Sequence, residues 1–492
     1  MTEVRYRNFW GESKRADLLA SLDQQPEDFE ASYQIVDPRA ENRFAFRPRE
    51  LGVTYQSWPT VRELCEAEPF SGAQEMRKGR LMGVDRAELE ARMTRYADPS
   101  RNLAQLIADG DGPADTTDQF DAERARSRLL AAGPDGQFQI RRYALHPFDN
   151  LWCAWTPVAS LWNRPRPELA REVDGRNRMF ITRMVAERPH EQHPMIMTAA
   201  LPDYHLLRPN VVAVPIMLTP APARGDLLDE AVAAEPRANL SARARRYLAD
   251  LGLADPDADQ TVREAIWFHA LAIGYSPAWL ADSGEAIRQD WPRVPLPATA
   301  ELLLASADLG RQVADLLDPD VPVPGVTTGS IRPELRTIAV LAKRDGSSAS
   351  GEDMALTAGW GHFARGSVVM PGRGLTAERG YVTAEAACAA HKIAVGEQTL
   401  DVFLNAKTYW RNVPAAVWDF TIGGYQVVKK WLSYRERPIL GRPIGVAEAR
   451  HLRDTVRRLA ALRILAPSLD ANYVACAAVH PDVVLRAMLE LG

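Results

Sequence analysis

The pattern that most constrains this chain is a change of apolar period along its length: strand-sized runs, then helix-length stretches, then strand-sized runs again. Between Phe138 and Leu218, short apolar or β-branched runs lie between turn residues, at Gln139–Ala144, Leu151–Trp155, Arg178–Met184, Met195–Ala199 and Asn210–Leu218. Ser241–Leu251 and Thr261–Ser283 then read as helices, the second with apolar residues at 262, 266, 267, 270, 271 and 273. Gly274 and Pro277 should break it. After Trp291–Pro297 a further helix is expected over Thr299–Leu317. Pro319–Pro324 opens a second β-rich stretch, with strands expected at Thr337–Ala342, Gly366–Met370, Val382–Ala387, Ile393–Val395 and Thr399–Phe403. Helices over Val427–Tyr434 and Val446–Ile464 follow.

This order predicts an α+β fold: two β-rich lobes separated by a helical spacer, behind a mixed α/β N-terminal region. The expected boundaries are 1–134, 135–225, 226–318 and 319–492, with Thr219–Arg224 as a linker. In the first part, Tyr33–Phe46 reads as extended, and Val61–Glu66 and Asp85–Tyr96 as helical. Ala108–Asp118 reads as an acidic loop, and Asp121 as the cap of a helix that Gly133-Pro134-Asp135-Gly136 stops.

The first residues carry charges every few positions, which argues against a secretory leader, and no uncharged apolar run approaches the roughly 18 residues of a membrane span. Cys65, Cys153, Cys388 and Cys476 stand singly, so a disulfide framework or zinc ribbon is not expected and a reducing cytoplasm fits.

The net charge of −5 hides an asymmetry. From Thr421 to Arg463 ten Lys or Arg face three acids, so this segment is +7 and the rest of the chain −12. Such polarisation suits a polyanion partner. The helix after Gly423-Gly424 should project Lys429, Lys430 and Arg437, with Arg435 in the same basic run, while Val427, Val428, Trp431 and Leu432 pack inward. In the last helix Leu452, Val456, Leu459 and Leu462 form an apolar stripe, and Arg450, Arg453 and Arg457 recur on another face. Guanidinium groups at helical spacing can follow a phosphate backbone or read guanine; a solvated basic face is the alternative.

Bond-making machinery is not recognisable. Gly372-Arg373-Gly374-Leu375-Thr376-Ala377 fits a hairpin loop better than a phosphate cradle, because β-like Tyr381–Thr383 follows where a helix should begin. His190, His193 and His205 lack metal-ligand spacing and read as surface loop histidines. Glu12-Ser13-Lys14 has no upstream Asp for a nuclease site. Adenine-N6 methyltransferases hold the flipped base on a [DNS]PP[YFW] loop, and this chain has no Pro-Pro dipeptide.

Three separated blocks carry a family likeness. The first runs from Arg142 through Pro147-Phe148-Asp149 to Trp152, then Arg164-Pro165-Arg166 and Gly175-Arg176-Asn177-Arg178. The second is Phe268–Trp279 followed by Asp290-Trp291-Pro292-Arg293-Val294-Pro295. The third is Ile422–Arg435, with Gly424, Tyr425 and Trp431. Their order and spacing over about 135–475 resemble the specificity, or target-recognition, region of type ISP and related single-chain restriction-modification enzymes. His146, Leu151 and Leu280 stand where that family usually carries arginine.

The resemblance implies a DNA sequence-recognition component of an adenine-N6 methyltransferase or restriction-modification system. Double-stranded DNA and a separately encoded methyltransferase or restriction subunit would be its partners, with no membrane. No cofactor is expected in this chain, and S-adenosylmethionine would belong to the partner subunit. The alternatives are a truncated remnant of a full-length enzyme, or an unrelated enzyme with an unrecognised site.

Overall fold

A computed structural model describes residues 4–9, 13–38, 46, 53–117, 119–133, 137–158, 160–188, 191–220, 235–364 and 367–478. By contact density the chain forms two compact units, Met1–Ser57 and Trp58–Gly492. In the smaller one, Val4–Tyr6 pairs antiparallel with Gln34–Val36, and helices Lys14–Ser21 and Pro26–Ala31 lie between them in sequence. Most of the extended Tyr33–Phe46 reading lies outside the described residues.

The larger unit is α+β, as its sequence order implies, with one contiguous apolar core running from Val61 to Cys476. The first β-rich stretch builds two four-stranded sheets, each completed by a short edge strand from the region before residue 135. One has the order Met82–Gly83, Asp149–Trp155, Gln139–His146, Leu201–Pro202. The other has the order Phe70–Ser71, Val211–Pro215, Met179–Arg183, Ile196–Thr198. Every residue of Met179–Arg183 is buried, because helices cover what would otherwise be a wet face; Phe180 packs on Trp267 at 5.7 Å.

Those helices form where their ends are capped. Asp85, Asp121, Ser241 and Thr299 each accept a first-turn backbone N–H of the helix that follows. The long pattern breaks as expected into Gln260–Gly274 and Pro277–Ser283, with Ser276 as the new cap. Ala300–Leu317 crosses Gln260–Gly274 closely at Gly310, where a Cβ would come within 1.8 Å of the Phe268 carbonyl oxygen. The Val446–Ala477 helix packs on both, with Leu452, Val456, Leu459 and Leu462 buried as predicted. It runs well past Ile464 and through Pro467, since Leu469, Tyr473 and Cys476 continue the buried stripe. Asp470 also holds this stretch, accepting from the Ser276 hydroxyl at 2.6 Å and the Ala278 N–H at 2.9 Å.

The second β-rich stretch differs from its reading in detail. Its sheet has the order Val340–Lys343, Thr408–Pro414, Thr399–Phe403, Thr376–Arg379. Thr408–Pro414, Thr376–Arg379 and Gly361–Ala364 were not expected as strands. Conversely, Val382–Ala387 and Ile393–Val395, expected as strands, are short helical turns at Thr383–Glu385, Ala386–Ala389 and Lys392–Val395. Runs as short as these do not distinguish the two states.

The Gly372–Ala377 loop is not the tip of one hairpin. It joins Ser367–Pro371, paired to Gly361–Ala364, with Thr376–Arg379, which pairs to Thr399–Phe403. Gly374 has a positive φ and lies so close to the Trp360 ring that a Cβ would fall 2.0 Å from it. Residue 366, residues 134–136 and linker residues 221–224 lie outside the described set.

Candidate functional site

The Pro147-Phe148-Asp149 turn closes the hairpin of Gln139–His146 and Asp149–Trp155. Phe148 takes a positive φ of 62° and is buried, a strained position held by its surroundings. Its carbonyl accepts from His451 Nε2 at 2.8 Å, and Asp149 receives Arg435 through two bonds of 2.6 and 3.2 Å. Burial opposes the charge on Asp149, but the Arg435 guanidinium outweighs it and holds the carboxyl well below the usual range. Arg435 also stacks over Trp431 at 4.8 Å, and Trp431 stacks on His451. Two of the three sequence blocks therefore meet here.

The third block makes a second set of contacts at its two glycines, with residues 191–208 that lie outside the blocks. Gly423 and Gly424, both at positive φ, turn Thr421–Ile422 into Tyr425–Gln426, and their N–H groups donate to the carbonyls of His193 and Glu191 at 2.9 Å. A Cβ on Gly424 would fall 2.3 Å from Arg208 Nε, while Arg208 Nη2 donates to the Gly424 carbonyl at 2.7 Å. His193 is therefore no surface histidine: it is buried, stacked between Tyr275 at 4.3 Å and Phe420 at 5.0 Å. Its flanking prolines suggested a loop, but the rings that enclose it come from distant sequence. His205 is half-buried beside Asp203, and His190 lies outside the described residues.

The remaining block residues also hold the fold together. Pro292 accepts the Val61 N–H at 2.9 Å, and Arg293 donates to the Trp58 carbonyl at 2.7 Å. Arg164 bridges Gln74 through backbone bonds and covers the Tyr204 ring at 4.3 Å. Arg166, at φ 50°, precedes the Pro167–Glu172 helix.

The basic segment divides. Arg435 and Arg457 are buried, so the reading that grouped them with projecting donors is corrected. Arg457 Nη2 donates to the carbonyl of Arg336, the last residue of the Pro333–Arg336 helix, at 2.9 Å. Arg458 reaches the carbonyls of Asp315 at 2.7 Å, of Leu316 and of Val321, closing the end of Ala300–Leu317. Arg463 donates to Ala394 in the last turn of Lys392–Val395 at 2.8 Å. Three arginines of one helix thus serve the carbonyl ends of three others, where unpaired C=O groups and the helix dipole both favour a cation.

The outer cations are placed otherwise. Arg437 pairs with Glu352, Arg442 with Glu448 at 2.6 Å and Arg453 with Asp454 at 2.9 Å. Arg450 is exposed and Lys429 half-buried, and neither has an ion-pair partner among the described residues.

Lys430 stands apart from both sets. Its ammonium lies 4.8 Å from the centre of the Tyr425 ring and 4.6 Å from that of Tyr434, facing a groove of about 720 Å³. Burial pushes its pKa down to about 8 and those of both tyrosines up to about 12. His146 packs on the same rings, at 5.3 and 5.0 Å. Sequence reading missed Tyr434 and His146 as members of this cluster; Tyr434 lies one helical turn from Lys430, a visible spacing.

Among the described residues no helix is long and apolar enough to cross a membrane, and no cluster of metal-ligating side chains occurs. A family model described as the Type ISP C-terminal specificity domain matches residues 70–449. The chain belongs to that family. This specificity domain also resembles three solved structures of low identity. The Type ISP restriction-modification enzyme LlaBIII bound to DNA matches at TM-score 0.52 and 10% identity, over 90% of this chain and 26% of that one. The DrdV–DNA complex matches at 0.55 and 15%, over 96% and 43%. A nuclease-deletion mutant of the Type ISP enzyme LlaGI with a DNA substrate mimic matches at 0.52 and 10%, over 95% and 32%. The specificity domain thus spans less than half of each of those chains. No curated protein matches it.

Proposed function

We propose that the chain selects sites on double-stranded DNA for a restriction-modification system that methylates adenine at N6, the reaction being carried by a separately encoded polypeptide. The observation that carries this reading is the specificity-domain match over 70–449, the span in which the sequence blocks pack on one another around one core. The three solved relatives were all captured with DNA, which supports the same ligand here. Lys429 and Arg450, with the rim residues Arg437, Arg442 and Arg453, would contact phosphates and set register, and loops of the β-rich stretches would read base edges. S-adenosylmethionine would enter with the catalytic partner, in the cytoplasm.

The test is co-purification with the product of the neighbouring reading frame, then duplex binding by anisotropy and methylation with labelled S-adenosylmethionine. Sequence-selective binding, and methyl transfer only when both polypeptides are present, is the expected result. Methyl transfer by this chain alone, or equal binding to all duplexes beside its partner, would overturn the proposal.

A further inference from the structure

The groove at Lys430 has polar atoms that the fold leaves without partners. Among the described residues no carboxylate lies within ion-pair distance of the Lys430 ammonium, whose neighbours are the two tyrosine rings and the Tyr434 hydroxyl at 3.4 Å. His146 is 5% exposed, and its Nδ1 has no hydrogen-bond partner. The nearest carboxylate oxygen, Asp149 Oδ2, is 3.9 Å from it and already receives Arg435. Across the groove, Arg92 spends Nη2 on the Met82 carbonyl at 2.6 Å, while its Nε is buried and unpaired.

Among the described residues none of the acids lining the groove makes a hydrogen bond or ion pair with these donors, although Glu88 acts on Arg92 electrostatically from the same rim. Glu75 turns its oxygens to the backbone N–H groups of Arg77, Gly79 and Leu81. Asp203 is taken by the Tyr143 hydroxyl and the His205 N–H, and Asp85 caps its own helix. A half-buried ammonium, an unpaired imidazole nitrogen and an unpaired guanidinium N–H beside two aromatic rings call for anionic oxygens joined to a flat ring. The volume is that of a pocket for one small ligand.

We infer that this groove holds a single nucleotide of a DNA strand, unstacked from its neighbours. Its phosphate oxygens meet Lys430 and Arg92, its base lies against Tyr425 and Tyr434, and His146 bonds to its edge. The inference rests on the DNA-selecting function proposed above. It assigns to the domain a pocket for one displaced residue in addition to contacts along the duplex. Because a free mononucleotide offers the same chemistry, the test must separate the two sources.

The full chain is titrated with a paired duplex and with the same duplex carrying one bulged 2-aminopurine nucleotide, with 5′-AMP alone as the third arm. The bulged duplex should bind about tenfold more tightly, the scale of one base–aromatic stack, with a change in 2-aminopurine emission. Lys430→Gln should remove that preference and Lys430→Arg should keep most of it, with circular dichroism confirming that both variants fold. Equal binding of paired and bulged duplexes by the unaltered protein overturns the pocket and leaves DNA selection standing. Binding of neither duplex overturns DNA selection, and the pocket with it. Lys430-dependent binding of 5′-AMP without a bulge preference overturns the assignment to DNA.

Discussion

Arg458 and Arg450 lie on the same helix and carry the same charge, yet their surroundings share nothing. Arg458 is buried and donates to carbonyls at the end of Ala300–Leu317, whereas Arg450 is exposed and has no ion-pair partner among the described residues. The division runs through the whole basic segment, with Arg435, Arg457, Arg458 and Arg463 turned inward to internal partners and Lys429, Arg437, Arg442, Arg450 and Arg453 set outside. A count of charge in sequence therefore overstates the cationic surface, because part of it neutralises carbonyl ends and one buried carboxylate.

The largest break in this comparison should come at the inner ion pair. Asp149→Ala or Arg435→Ala leaves a buried charge alone and should cost about 3–5 kcal/mol of unfolding free energy, read by urea unfolding with circular dichroism. The combined variant Asp149→Asn with Arg435→Met should lose less than the two single losses together. Next, Arg458→Ala should cost about 2 kcal/mol, because it strips buried carbonyls of charge-assisted partners, while Arg450→Ala should stay within about 0.5 kcal/mol. Equal losses at the two sites would erase the distinction.

The inward side also has a pH signature. His269 is buried in Gln260–Gly274, its ring nitrogens against the Ser306 hydroxyl and the Pro295 carbonyl, and burial pushes both it and His193 down to about 4. Unfolded histidine titrates near 6.5, so between about pH 6.5 and 4 the unfolded chain binds protons that the folded chain refuses. Their contribution is present above that window and is lost as the pH falls through it, by roughly 1–2 kcal/mol for each histidine at pH 5. A Tm that does not fall between pH 7 and 5 would contradict the buried neutral state of both rings.

What the sequence disclosed follows the range of the forces involved. Caps and breaks act within a few residues, so the Asp85, Asp121, Ser241 and Thr299 helices and the Gly274–Pro277 break were legible. The apolar stripe of the last helix was legible to Leu462, but Pro467 hid its continuation, which depends on burial of Leu469 and Tyr473. The sequence blocks were recognised, but their purpose was not. Asp149 meets Arg435, and Gly424 meets Arg208, across more than two hundred residues, a pairing that no local pattern records. The same distance explains His193 and the cluster of His146 with Tyr425 and Tyr434.

The smallest effect on stability carries the most direct test. Duplex affinity of the unaltered protein and of Lys429→Ala with Arg450→Ala should be measured by anisotropy across a salt series. The account predicts that each outer cation removed makes the slope of log K against log salt shallower by about 0.9, with Tm almost unchanged. An unchanged slope in the double variant, or duplex binding indifferent to salt, would contradict the claim that the outer half of this segment meets phosphate.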